Sequence, residues 1–249
     1  MRNVAWLQWA MLLLYGCSTT PPPAPEEETP AAESSKKPGK MVSDDGKFDS
    51  TPSADSGLGV MSFSPDALFS GFDGQHSFKV PVAVYDGADD LVVTAKDPSA
   101  ATITPVKLAK PLHDDGTFDN GKYFMVTPKK SGAIVLVAKS QGRSVEATLT
   151  VTAYTAAEWN AGKARYENGG TNGDPACASC HAGSAGIDHS PAALASVDDQ
   201  KVGAVITSGI STAGFPIREQ TKGHRWEVTE EERQSLITYL RGLEPRGFE

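Results

Sequence analysis

Residues 177–181 read Cys-Ala-Ser-Cys-His, two thiols three positions apart with an imidazole directly after the second. This is the pattern through which a haem is attached covalently: both thiols add to vinyl groups, and the adjacent imidazole reaches the iron. The close spacing keeps all three groups at one edge of the macrocycle. Two other chemistries use paired cysteines. A Cys-x-x-Cys redox pair is expected near a strand-helix-strand pattern, which does not occur here. A structural zinc needs four ligands, normally with a second Cys or His pair. The reading is therefore one covalent c-type haem on Cys177 and Cys180, with His181 as an iron ligand. The third cysteine, Cys17, ends an apolar N-terminal run. None is left over for a structural disulfide unless Cys177 and Cys180 pair with each other.

The elements that must position this pentapeptide are helical. Thr155-Ala-Ala-Glu158 fits a capping box and opens a helix that can run to about Glu167, ended by Asn168-Gly169-Gly170. Ser196-Val-Asp-Asp199 is a second cap-like start; Val202, Val205 and Ile206 then repeat at helical spacing until Gly209. Thr229-Glu-Glu-Glu232 is a third, and Leu236, Ile237, Leu240 and Leu243 give its helix an apolar face before Pro245.

Before residue 154 the pattern is of strands. Apolar or β-branched runs recur at Val80–Tyr85, Leu91–Ala95, Thr102–Thr104, Tyr123–Thr127, Ala133–Ala138 and Val145–Thr152. Turn pairs such as Asp86-Gly87, Asp97-Pro98 and Gln141-Gly142 separate them, which predicts an antiparallel sandwich. The last two runs are similar to the closing strands of bacterial Ig-like domains, over about 95 residues. There is no Cys…Trp…Cys core of the antibody type. His76 and His113 sit in turn-rich sequence and read as surface histidines, and Asp114, Asp115, Asp119 and Asn120 lack the ordered spacing of a calcium loop.

The stretch from about Tyr154 to Leu243 resembles the class I cytochrome c family. Trp159-Asn-Ala-Gly162-Lys-Ala-Arg-Tyr166 looks like its N-terminal helix, where a glycine permits close contact with the C-terminal helix, and Glu232–Leu243 looks like that C-terminal helix. The fold expected is multidomain: an all-β Ig-like sandwich (58–153) followed by an all-α cytochrome c domain (154–249). The resemblance implies that the carbonyl of Pro191 accepts the Nδ1–H of His181 and fixes its tautomer. The family's second ligand is a methionine, often in a Gly-Met-Pro loop, but Gly214-Phe215-Pro216 stands there and phenylalanine cannot ligate iron. The last methionine, Met125, lies in the strand region. His224, in the loop before the last helix, is the expected distal ligand, and His189 is the second choice. Trp226 is expected to pack the haem edge.

The N-terminus reads as an export signal. Arg2 precedes an apolar stretch from Val4 to Tyr15, and Leu14-Tyr15-Gly16-Cys17 resembles a bacterial lipobox. Residues 1–16 would be removed and Cys17 lipidated, anchoring the chain, with the outer membrane favoured. Residues 17–57, rich in Pro, Glu and Ser, read as a tether that cannot bury enough surface to order itself. A net charge of −8 leaves no basic stripe for phosphates and excludes nucleic acid. These features point to a non-enzymatic electron carrier with a redox protein partner. The alternatives are a gas or peroxide sensor or small haem enzyme with an open sixth position, or a binding or structural lipoprotein dominated by the Ig-like part.

Overall fold

The computed structural model describes residues 59–110, 120–170, 173–182, 188–211, 214–217 and 225–249. Eight strands come first: β1 (Ser62–Ser64), β2 (Ala67–Phe72), β3 (Val80–Tyr85), β4 (Val92–Ala95), β5 (Ala101–Val106), β6 (Lys122–Pro128), β7 (Gly132–Ser140) and β8 (Arg143–Ala153). They form two four-stranded sheets, ordered β1-β3-β6-β5 and β2-β8-β7-β4. The pairs are antiparallel except β2–β8, which run parallel with Leu68 opposite Leu149. Period-two alternation explains β8: Ala147, Leu149 and Val151 point into the sandwich while the residues between them face water. The β7–β8 turn uses Gln141 and Gly142 at φ 49° and 73°, the left-handed pair that a tight hairpin requires.

Helices α1 (Ala156–Asn168), α2 (Ala178–His181), α3 (Pro191–Leu194), α4 (Asp199–Ser208) and α5 (Glu230–Arg241) follow. Both expected capping boxes form: Thr155 with Glu158 on α1, and Thr229 with Glu232 on α5. The Asp198 side chain caps α4, and Gly209 ends it in the left-handed region. Gly242 caps α5, three residues before the proline expected to end it.

The expectation of an all-β domain followed by an all-α domain is corrected by this arrangement. The described residues form an α/β protein with two sheets and a few short helices, inside one compact unit. The cause is a shared core. Phe78 and Tyr154, from the strand region, are buried with Tyr166, Ile206, Leu236 and Leu240 of the helices. Ala195 is buried in the sandwich, and its carbonyl accepts the amide of Phe69 at 2.9 Å. Lys107 and Glu249 exchange two backbone hydrogen bonds of 2.9 Å, which seats Phe248 against Tyr123. Every residue of β3 is buried because Val80, Val82 and Val84 face the sandwich while Ala83 and Tyr85 join this second cluster.

His76 is not an ordinary surface histidine. Its ring stacks on the indole of Trp159 in α1, with centroids 3.8 Å apart, and its Nδ1 lies 2.5 Å from Asp73 Oδ2. Burial alone would raise the Asp73 carboxyl, but hydrogen bonds from His76 and Gln75 outweigh it and hold it below the ordinary value of 3.8. A carboxyl depressed in the folded state stabilises fully above its unfolded value, and that contribution is lost as pH falls through the folded value. Asp73→Asn is therefore expected to flatten the fall in stability below about pH 4. Urea unfolding at a series of acid pH values measures it; equal slopes in wild type and variant would refute the role.

Candidate functional site

The candidate site is built on α2. Cys177 is its N-cap, and its carbonyl accepts the amides of Cys180 (3.2 Å) and His181 (3.0 Å). One turn of helix thus sets positions 177, 180 and 181 on one face. Cys177 is half-buried, Cys180 exposed and His181 buried, and both cysteines are thiols. Burial pushes the Cys177 thiol up, and the Arg165 guanidinium acts in the opposite direction. The segment leading into α2 is clamped on the end of α1. Gly169, at φ 86°, lies so close to it that a Cβ would meet the Asp174 carbonyl at 2.3 Å. Arg165 donates to Asp174 Oδ2 at 3.2 Å.

All three groups line one open cleft. Its other walls come from Tyr166 of α1, Ile206 of α4, Leu236 and Leu240 of α5, and Trp226. The Trp226 amide donates to the Ile206 carbonyl at 3.1 Å, which fixes the indole's backbone beside α4. Burial pushes the Tyr166 phenol up to about 12, so it stays neutral at physiological pH. The lining is therefore apolar and aromatic, with two thiols and two imidazoles.

The second imidazole belongs to His189. Its ring stacks on that of His181, with centroids 3.6 Å apart and planes 23° from parallel. The Asp188 carboxylate accepts from the Ser190 amide and hydroxyl, each at 2.8 Å. Ser190 Oγ in turn accepts the Arg246 amide at 3.1 Å, and Arg246 Nη2 donates to the His181 carbonyl at 3.3 Å. The C-terminal segment therefore ties the end of α2 to the 188–190 turn.

Among the expected site residues, Cys177, Cys180, His181 and Trp226 converge on the cleft, and His189 joins them. Pro191 is buried at the first position of α3 and does not line the cleft. Met125 is buried in β6 and does not line it either. His224, Cys17, His113, Asp114, Asp115 and Asp119 lie outside the described residues. Tyr166 and Arg246 were not singled out for the site in sequence, where nothing marks two positions so distant as neighbours of His181. The signal for the 188–190 turn was Asp188 two residues before Ser190, a short acceptor placed to bond its own backbone.

No family model matches the chain, and no curated protein matches it. The matched solved structures include pieces of the S-layer protein SbsC. Domains 4 and 5 share 15% identity over 37% of this chain and 51% of that one, with a TM-score of 0.27. Domains 1–6 share 17% over 38% and 13%, also at 0.27, and domains 4–9 share 15% over 39% and 14%, at 0.29. The chain thus spans about half the length of the first and a small part of the other two. Among the described residues no group of three or more His, Cys, Asp or Glu side chains could hold a metal ion, and no helix is long and apolar enough to cross a membrane. The expected membership of the class I cytochrome c family, and the description as a metal-binding c-type cytochrome, are corrected accordingly: no family model or curated protein supports them, and the helices share a core with the strand region instead of forming the separate all-α domain that the membership implied.

Proposed function

We propose that this is a binding protein of the bacterial cell envelope whose ligand is a haem, held by thioether bonds to Cys177 and Cys180 with His181 directed at the iron. The observation that carries this reading is the convergence of both thiols and the imidazole on one apolar cleft. The donor set fits the group. Each thiol adds across a vinyl double bond: sulfur bonds to carbon, the thiol hydrogen passes to the neighbouring carbon, and nothing is oxidised or reduced. A single imidazole suits a metal whose other ligands come from an organic ring. When bound, the haem supplies a one-electron couple. The protein's own part is to hold it: Ile206, Leu236, Leu240 and Trp226 exclude water, and α2 fixes the edge of attachment.

Export and anchoring follow from the N-terminal sequence. Cys17 is proposed to carry lipid, which holds the protein at the envelope, with the outer membrane favoured. The two sheets would serve as the structural part.

The test is mass spectrometry and in-gel haem staining of the full chain after export in a bacterium that attaches haem. One haem per chain is expected in the wild type, with covalent attachment lost when Cys177 and Cys180 are both serine. An exported wild type without haem would overturn the reading. The finer role, carrying electrons to a redox protein partner, predicts a low-spin ferric resonance. A high-spin resonance would favour gas or peroxide binding instead.

A further inference from the structure

We propose that His189 is a positioning residue for His181: its ring, stacked on the His181 imidazole, sets the plane in which that imidazole faces the cleft. The inference rests on the haem-binding reading only for its consequence, because the stack itself is a property of the chain.

Three observations carry it. The two rings are in van der Waals contact, with centroids at 3.6 Å and planes 23° apart. A flat neighbour at that distance blocks rotation of His181 about its Cβ–Cγ bond, a torsion that is otherwise broad. His189 is itself backed: Tyr166 meets it edge-on with centroids at 6.4 Å, and Tyr166 packs against Tyr239 at 5.3 Å. Tyr166 and Tyr239 are buried, so the backing belongs to the α1–α5 interface rather than to a loose loop. Finally, the turn carrying His189 is held by the Asp188–Ser190 hydrogen bonds and by Arg246, which also holds the His181 carbonyl. Arg246 thus ties together the two segments that carry the stacked rings.

The stack also decides against His189 as the second iron ligand. Rings 3.6 Å apart lie on the same side of any group bound to His181 and leave no room for a macrocycle between them. What remains for His189 is orientation. The direction of an axial imidazole plane sets how the iron's π-bonding d orbitals split, so a ring left to rotate spreads that splitting over many values.

The experiment uses the full chain with histidine labelled in its ring, in two states. In the haem-free protein, the His181 ring protons should resonate upfield because of the neighbouring ring current. His189→Leu should abolish that shift and His189→Phe, which keeps a flat ring, should retain it. In the haem-loaded protein, His189→Leu should broaden the ferric resonance and His189→Phe should restore its width. Should His189→Leu fail to fold, His189→Gln, which removes the ring but keeps a polar side chain, replaces it. Unchanged His181 shifts in a folded ring-free variant would overturn the proposal. Conversion of His189→Phe to high spin would overturn it too, by making His189 a ligand. A wild type that takes up no haem would sink the haem-binding reading alone, since the haem-free spectra still test the stack.

Discussion

Replacing Arg241 by methionine is expected to destabilise the protein by about 3–5 kcal/mol. Arg241 is 1% exposed at the end of α5. Its guanidinium donates to Asp199 Oδ1 from Nε (3.0 Å) and Nη2 (2.9 Å), and to the carbonyl of Leu194 at 2.8 Å; it also donates to the carbonyl of Val197. Asp199 Oδ2 accepts from Thr152 Oγ1 at 2.8 Å and Tyr154 Oη at 2.7 Å. One ion pair therefore joins β8, the end of α3, the start of α4 and the end of α5. Methionine fills part of the volume but leaves two backbone carbonyls without this donor and strips Asp199 Oδ1 of both its Arg241 bonds, while Oδ2 keeps Thr152 and Tyr154. Breaking one side of a largely buried pair costs more than the pair contributes, because Asp199, with its side chain 25% exposed, keeps most of its desolvation penalty. Arg241→Met with Asp199→Leu should consequently lose less than the sum of the two single changes. Urea unfolding of all four proteins gives the coupling. A single-variant loss below about 1 kcal/mol would mean that the network does not hold the layers together. The site feels the same change, since α3 follows the His189 turn and α5 supplies Leu236 and Leu240 to the cleft.

That network shows where sequence reading stops. Local signals were legible. The capping boxes at Thr155 and Thr229, the left-handed stop at Gly209 and the six strands β3 to β8 all follow from rules that act within a few residues. β1 has three residues and β2 contains Ser70 and Gly71, so neither offers a run long enough to read. What failed was the assignment of partners. Phe78 is apolar and buried, as its type requires, but nothing local says that it is buried against helices rather than inside the sandwich. The same holds for Tyr154 and Ala195, and on those residues the two-domain reading failed. The candidate site divides in the same way. Cys177, Cys180 and His181 are legible because their geometry lies within one turn. Tyr166 and His189 reach the cleft through tertiary packing, and the stack between His181 and His189 has no trace in the spacing.

Gly162 provides the second large effect, and its sign is the informative part. Alanine in place of glycine inside a helix ordinarily stabilises by about 1 kcal/mol. Here a Cβ would lie 1.9 Å from the Ser235 carbonyl oxygen, 2.5 Å from the Ser235 carbonyl carbon and 2.9 Å from Tyr239 Cβ. The first two are backbone atoms of α5, which no rotamer change can move aside. The helices must separate, and the aromatic contacts at the crossing, Trp159–Tyr239 and Tyr166–Tyr239, both with centroids at 5.3 Å, open with them. Overpacking of this kind costs about 3 kcal/mol, which exceeds the propensity gain. Gly162→Ala is thus expected to lower stability by at least about 2 kcal/mol, whereas a helix limited by propensity would gain. The neighbouring exposed position gives the control: Ala161→Gly should cost about 1 kcal/mol and no more. Thermal and urea unfolding of the two variants separate the outcomes, and a stabilised Gly162→Ala would show that the helices do not cross at this point. Because Tyr166 lies on one helix and Leu236 and Leu240 on the other, the same substitution widens the cleft. On the proposed haem-binding reading, the fraction of exported chain with haem attached should therefore fall in Gly162→Ala, while Ala161→Gly loses stability alone.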